Sequence, residues 1–197
     1  MSKLKILVII GSTREERFAE KPARWIGDFL NQDARIEAEL VDLRDWPLPF
    51  FDQSKSPLRV TDGDYGNALA NEWAKKIAGA DGFVMTAAEY NHGYTAVLKN
   101  AIDWLGVEWR RKPVTFVGYG NAGGARAIEQ LRQVAVEMQM VPIKYAVHIP
   151  GHLYLAIRNE PAPVDPKHFA AGEPAATALR EDLAWWGETL REARGRG

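Results

Sequence analysis

Short apolar runs, each ending in a polar cluster and followed by a helical pattern, constrain this chain more than any other feature. "KLKILVII" (3–10) is nearly continuous and stops at Gly11, as a strand buried on both faces would. "RIEAELVDL" (35–43) alternates more strictly and suits a strand nearer the sheet edge. "GFVMTA" (82–87) and "KPVTFVGYG" (112–120) repeat the continuous pattern. "MVPIKYAVHIPG" (140–151) predicts a fifth strand whose start Pro142 restricts. Helical spacing lies between them. Pro22 sits in the first turn of a helix carrying Ala23, Ile26 and Leu30, and residues 65–79 form the next helix. Val97, Leu98, Ala101, Ile102 and Leu105 share one face. Stripes also run through 124–139 (Ile128, Leu131, Ala135, Met138) and 175–193 (Leu179, Leu183, Trp186, Leu190).

Strands alternating with helices imply a parallel sheet covered on both faces, joined by right-handed crossovers. Five strands predict the order 2-1-3-4-5. The expected fold is therefore α/β, a three-layer doubly wound parallel sheet of the flavodoxin-like kind, as a single domain over 1–197. With 25 basic and 26 acidic residues dispersed along the chain, a large nucleic-acid footprint is not expected. No apolar stretch approaches a membrane span, and no membrane partner is expected. The chain has no cysteine, which excludes disulfides, iron–sulfur clusters and thiol chemistry and fits a cytoplasmic address.

In such a sheet ligands sit at the strand tips, and three tip loops carry unusual residues. The first, "GSTREERF", offers amides near a helix start, the hydroxyls of Ser12 and Thr13, and the guanidinium groups of Arg14 and Arg17. That inventory suits a phosphate, although a polar turn with solvated charges fits too. It is not a Walker loop, because no Gly-Lys-Ser/Thr follows. The second, "EYNHG", sets Glu89, Tyr90, Asn91 and His92 in a row, with Asn91 and Gly93 expected in left-handed conformations if it is only a turn. The third, "GYGNAGG", spaces Gly118, Gly120 and Gly123 as G-x-G-x-x-G around Tyr119. The dinucleotide reading of that spacing fails, since the next strand ends in "YAVHIPG" without the acidic ribose partner. Close approach of a flat ligand and turn geometry alone remain open for each glycine. One phosphate-holding loop and two loops for a planar ring match a flavin mononucleotide.

Three elements together resemble the NAD(P)H-dependent FMN reductase family, a flavodoxin-like group that includes quinone, azo-dye and chromate reductases. They are Gly11-Ser12-Thr13-Arg14, Glu89-Tyr90-Asn91 followed by "LKNAIDW" (98–104), and the glycine-rich 118–124. The resemblance spans roughly residues 3–150. The family's proline before Glu is Ala88 here, and a hydroxyl residue late in the phosphate loop is replaced near Phe18, leaving Arg17 to supply that contact.

The resemblance implies an FMN cofactor with NAD(P)H as co-substrate. Ser12, Thr13, Arg14 and Arg17 would hold phosphate, and Glu89, Tyr90, Asn91, His92 and Gly118 to Gly123 would line the isoalloxazine. Reduced nicotinamide would pass hydride through FMN to a small acceptor: a quinone, azo or nitro compound, metal oxyanion or free flavin. The other reading is a flavodoxin-like electron carrier or sensor without turnover of its own. No catalytic acid or base is assigned. A homodimer or homotetramer is expected, anchored by "WPLPFF" (46–51) and the Trp104/Trp109 region. His148 and His152 span a Pro-Gly and make no metal site. "EWRRKP" (108–113) reads as a solvated helix end, with the extra phosphate of NADPH as its functional alternative. The Pro-rich 156–174 segment reads as an ordered arm or lid.

Overall fold

The computed structural model describes residues 2–161 and 163–195. Its strands are β1 (Leu4–Ile10), β2 (Ile36–Asp42), β3 (Gly82–Ala88), β4 (Pro113–Tyr119), β5 (Val141–Pro142) and β6 (Val147–Ile149). They form one parallel sheet of order β2-β1-β3-β4-β5, with β6 also paired to β4. This is the predicted doubly wound arrangement. Along β1, β3 and β4 every residue but Lys5 is buried, which is why those runs are apolar without alternation. The edge strand β2 exposes part of its length, hence its mixed sequence.

Side chains along β1 point alternately to the two faces. Leu4, Ile6 and Val8 enter the core under α1 (Glu20–Asn31) and α6 (Glu173–Gly195). Leu7 and Ile9 enter the core under α2 (Ala68–Ala78), α3 (Ala96–Asp103) and α4 (Ala125–Glu137). A short α5 (Gly151–Ile157) follows β6.

The expected fifth strand is split in two. Pro142 has no amide to extend the ladder, and the carbonyls beyond it are taken by side chains. Arg132 donates to Ile143 O (2.6 Å) and Lys144 O (2.8 Å), and Thr115 Oγ1 donates to Tyr145 O (2.6 Å). These bonds replace the pairing until β6 resumes it beside Val117–Tyr119.

The described residues 164–172 of the Pro-rich segment form an arm packed on the α1 face. A 3-10 turn over Pro166–Gly172 stacks Phe169 on Trp25 at 5.0 Å between ring centres. Two other expectations are corrected. Trp104 and Trp109 are fully buried, so neither is a surface anchor. The "EWRRKP" cluster precedes β4, at the opposite end of the sheet from the strand tips, and cannot meet a ligand there. Its Lys112 is buried and donates to Ile77 O (2.7 Å) and Ala78 O (2.9 Å), closing the C-terminus of α2. Among the described residues no helix is long and apolar enough to cross a membrane, and no cluster of three potential metal ligands occurs.

Candidate functional site

The loop after β1 is shaped by what grips its carbonyl groups. Gly11 O accepts from Thr95 Oγ1 (2.5 Å), Ser12 O from Arg17 Nη1 (2.9 Å), Thr13 O from Arg44 Nε (3.4 Å), and Arg14 O from Arg44 Nη2. Consecutive carbonyls are thus held by side chains, while the amides of residues 12 to 16 donate to no acceptor among the described residues. Helix α1 begins just beyond, with Ala19 at its N-cap and no side-chain cap. Free amides beside an uncapped helix N-terminus form a cradle for an anion. Arg14 is exposed at its rim, its guanidinium carbon 5.5 Å from the Tyr90 ring centre.

Arg17 does something other than expected. Its side chain is 3% exposed, and its terminal nitrogens bind Asp42 Oδ1 (2.6 Å), Asp42 Oδ2 and Ser12 O. It ties the loop to the tip of β2, and only its buried Nε lacks a partner. Burial pushes the Asp42 carboxyl up, but the hydrogen bonds from Arg17 and the Arg44 amide outweigh it and hold the pKa below its ordinary value. The Phe18 position is filled by packing, with Tyr119 and Tyr154 both at 5.0 Å.

The loop after β3 is a two-residue hairpin turn. Tyr90 N donates to Gly93 O (2.8 Å) and Gly93 N to Tyr90 O (3.0 Å), with Asn91 at φ +51° and His92 at φ +70°. The left-handed pair is therefore Asn91 and His92, where Asn91 and Gly93 were expected. Each such residue costs about 1 kcal/mol or more and persists only where its surroundings hold it. Tyr90 OH lies 3.2 Å from Ser12 Oγ, joining the first two loops. Glu89 does not face the cleft freely. Its carboxylate is 3% exposed and accepts from the Arg126 amide (3.1 Å), Nε (2.6 Å) and Nη2, capping α4. Burial raises the Glu89 pKa, yet the Arg126 hydrogen bonds prevail and the net shift is downward.

The glycines of the third loop are explained by the loop itself. A Cβ on Gly118 would lie 2.7 Å from Gly123 O and from Ile128 Cδ1. Gly120 and Gly123 take φ +141° and +64°. Tyr119 turns inward and is 5% exposed, and its buried hydroxyl has no hydrogen-bond partner.

A cavity of about 370 Å³ opens between Ser12, Thr13, Arg14 and Tyr90 on one side and Leu48, Phe50 and Val97 on the other. Its outer wall is the Pro-rich loop, which "LKNAIDW" pins. Asn100 Nδ2 donates to Leu48 O (3.2 Å) and Pro49 O (2.9 Å), and Asn100 Oδ1 accepts from the Phe51 amide (3.0 Å). Trp104 Nε1 donates to Pro49 O (2.6 Å). Sequence reasoning missed Asp42, Arg44, Asn100 and Arg126 as supports of the site. Thr95 was readable as a helix N-cap before an apolar run, and its hydroxyl does accept from the Leu98 amide.

An amide cradle at the first strand tip, a cavity beside it and two orphaned buried polar atoms (Arg17 Nε and Tyr119 OH) fit a phosphorylated ligand with a flat ring. They suit FMN. The fold and these loops define a flavodoxin-like flavoprotein. The chain belongs to the NADPH-dependent FMN reductase family, whose model matches residues 4–152. Membership makes it an oxidoreductase with FMN as cofactor and reduced nicotinamide as co-substrate.

The chain is 40% identical over 167 residues to NAD(P)H-dependent FMN reductase C4B3.06c of Schizosaccharomyces pombe, covering 84% of this chain and 83% of that one. It is 31% identical over 145 residues to a 2-hydroxy-1,4-benzoquinone reductase of a Burkholderia species, covering 70% and 73%. Among solved structures, FerB, a flavoenzyme NAD(P)H:(acceptor) oxidoreductase from Paracoccus denitrificans, superposes with a TM-score of 0.67 over 95% of this chain and 98% of its own. At 20% identity that likeness speaks for the fold.

Proposed function

We propose that this chain carries reducing equivalents from NAD(P)H through FMN to a small planar acceptor of the quinone class, as a cytoplasmic enzyme of one domain. The observation that carries the reading is the junction of the amide cradle with an apolar-walled cavity at adjacent strand tips. The amides of residues 12 to 16, the hydroxyls of Ser12 and Thr13, and Arg14 would hold the phosphate. Tyr90, Asn91 and the 118–123 loop would border the ring, with Glu89 and His92 acting through their partners. FMN, when bound, supplies the two-electron relay between nicotinamide and acceptor. The residues contribute binding, orientation and partial exclusion of water, and none is assigned as a general base.

The quinone class is supported by Phe50. This residue is 78% exposed, although burying such a side chain is worth roughly 1.5–3 kcal/mol. The backbone on either side of it is pinned by Asn100 and Trp104, which keeps the position of Phe50 at the cavity rim. A solvent-facing aromatic held beside a cofactor cleft by its backbone is a platform for a flat ring. The relative named as a benzoquinone reductase points the same way. A steady-state panel of quinone, azo, nitro and metal-oxyanion acceptors tests the assignment. The quinones should give the highest kcat/KM, and a chain that reduces none of them refutes it. The electron-carrier reading is not favoured, because the chain's relatives are reductases.

A homodimer is proposed as well, although Trp104 and Trp109 lie in the core and cannot anchor it. Phe50 is the exposed aromatic of that region. Sedimentation should show self-association, whereas a monomer at all concentrations with full turnover would exclude it.

A further inference from the structure

We infer that Arg126 is a positioning residue that sets the strand-tip turn at Tyr90–Gly93 by gripping Glu89 before it and His92 within it. The inference rests on the proposed placing of that turn beside the flavin.

The grip is specific. Arg126 Nε and Nη2 bind the Glu89 carboxylate, while Nη1 lies 2.8 Å from His92 Nε2. A guanidinium has only donors, so His92 Nε2 accepts and the ring's N–H stands on Nδ1. One turn further along α4, Gln130 Nε2 donates to His92 O at 3.0 Å. Residues four apart share a helix face, so the first turns of α4 present a fork and an amide to one hairpin.

What they hold is strained. Asn91 and His92 are both left-handed, although a turn of this type favours glycine at the second position. No glycine relieves His92, so the conformation depends on external contacts. The turn in turn fixes Tyr90, whose hydroxyl meets Ser12 in the phosphate loop. The planar fork serves two partners, one before the turn and one within it, which a lysine's single ammonium cannot do in the same geometry.

The test uses the full-length protein loaded with FMN and reads two quantities. The first is the His92 imidazole nitrogen spectrum by NMR. With four histidines in the chain, one His92→Ala spectrum assigns it. Wild type should show a single Nδ1–H tautomer, and Arg126→Ala should show an exchanging mixture. The second is the FMN dissociation constant from flavin fluorescence, which Arg126→Ala should raise roughly tenfold, the scale of one charge-assisted hydrogen bond. Arg126→Lys should keep the melting temperature but leave His92 mixed and FMN weakened.

An unchanged His92 spectrum in both variants overturns the proposal. So does a mixed His92 with an FMN dissociation constant within twofold of wild type. If Arg126→Ala does not fold, Arg126→Lys carries the same decision. If wild type binds no flavin, the proposed function fails, while the His92 spectrum still decides whether Arg126 sets the turn.

Discussion

Arg14 and Arg17 stand three residues apart in one loop and have opposite tasks. Arg14 is exposed at the rim of the amide cradle, whereas Arg17 is buried against Asp42. Arg14→Ala should weaken FMN binding by about 1.5–3 kcal/mol, roughly ten- to a hundredfold, the range for a hydrogen bond to a charged group. Riboflavin, which lacks the phosphate, should bind wild type and variant alike. Fluorescence titration with both ligands checks this, and equal losses would remove Arg14 from the phosphate site. Asp42→Asn instead leaves Arg17 buried without its counter-charge and should cost stability, on the order of 3 kcal/mol by denaturant unfolding. The Asp42 pKa is lowered in the fold, so its stabilisation is complete above the ordinary carboxylate range near pH 4. It is lost as pH falls through the lower folded value, so wild type and variant should converge in acid.

At the scale of elements, the Pro-rich loop and α3 act as one piece. Asn100→Ala removes three hydrogen bonds to residues 48–51. It should raise the KM for planar quinones several-fold by freeing Phe50, with the FMN dissociation constant unchanged. An unchanged KM would dissociate Phe50 from acceptor binding. The strands and most helices were legible because burial on both faces writes itself into the sequence as unbroken apolar runs. The split of the fifth strand was not, because it depends on Arg132 and Thr115 reaching across from other elements. The site shows the same division. Ser12, Thr13, Arg14 and Tyr90 were readable as chemistry at strand tips and do come together. Arg17 and Glu89 look like ligand residues in sequence but are committed to Asp42 and Arg126, pairings that arise only in the folded chain.

For the whole molecule, the end of the sheet remote from the cleft contributes to the pH dependence of stability in alkali. Burial lowers the Lys112 pKa to about 8 from its ordinary 10.5, with Arg194 adding to the shift. Between those values the unfolded chain binds the extra proton, so unfolding free energy should rise with pH, by about 1–3 kcal/mol. Tyr65 and Tyr119 oppose this only above about pH 10, since burial raises the pKa of each, with the Glu108 hydrogen bond adding to it at Tyr65. Lys112→Met should flatten the rise between pH 8 and 10 in urea titrations. At the cleft end the strand tips would hold FMN open to both nicotinamide and an acceptor. The most direct measurement is an anaerobic titration of the FMN-loaded protein. NADPH or NADH should bleach the visible flavin band stoichiometrically, and added quinone should restore it. Failure to take up FMN, or a bound flavin that neither nucleotide reduces, would exclude that role for the strand tips.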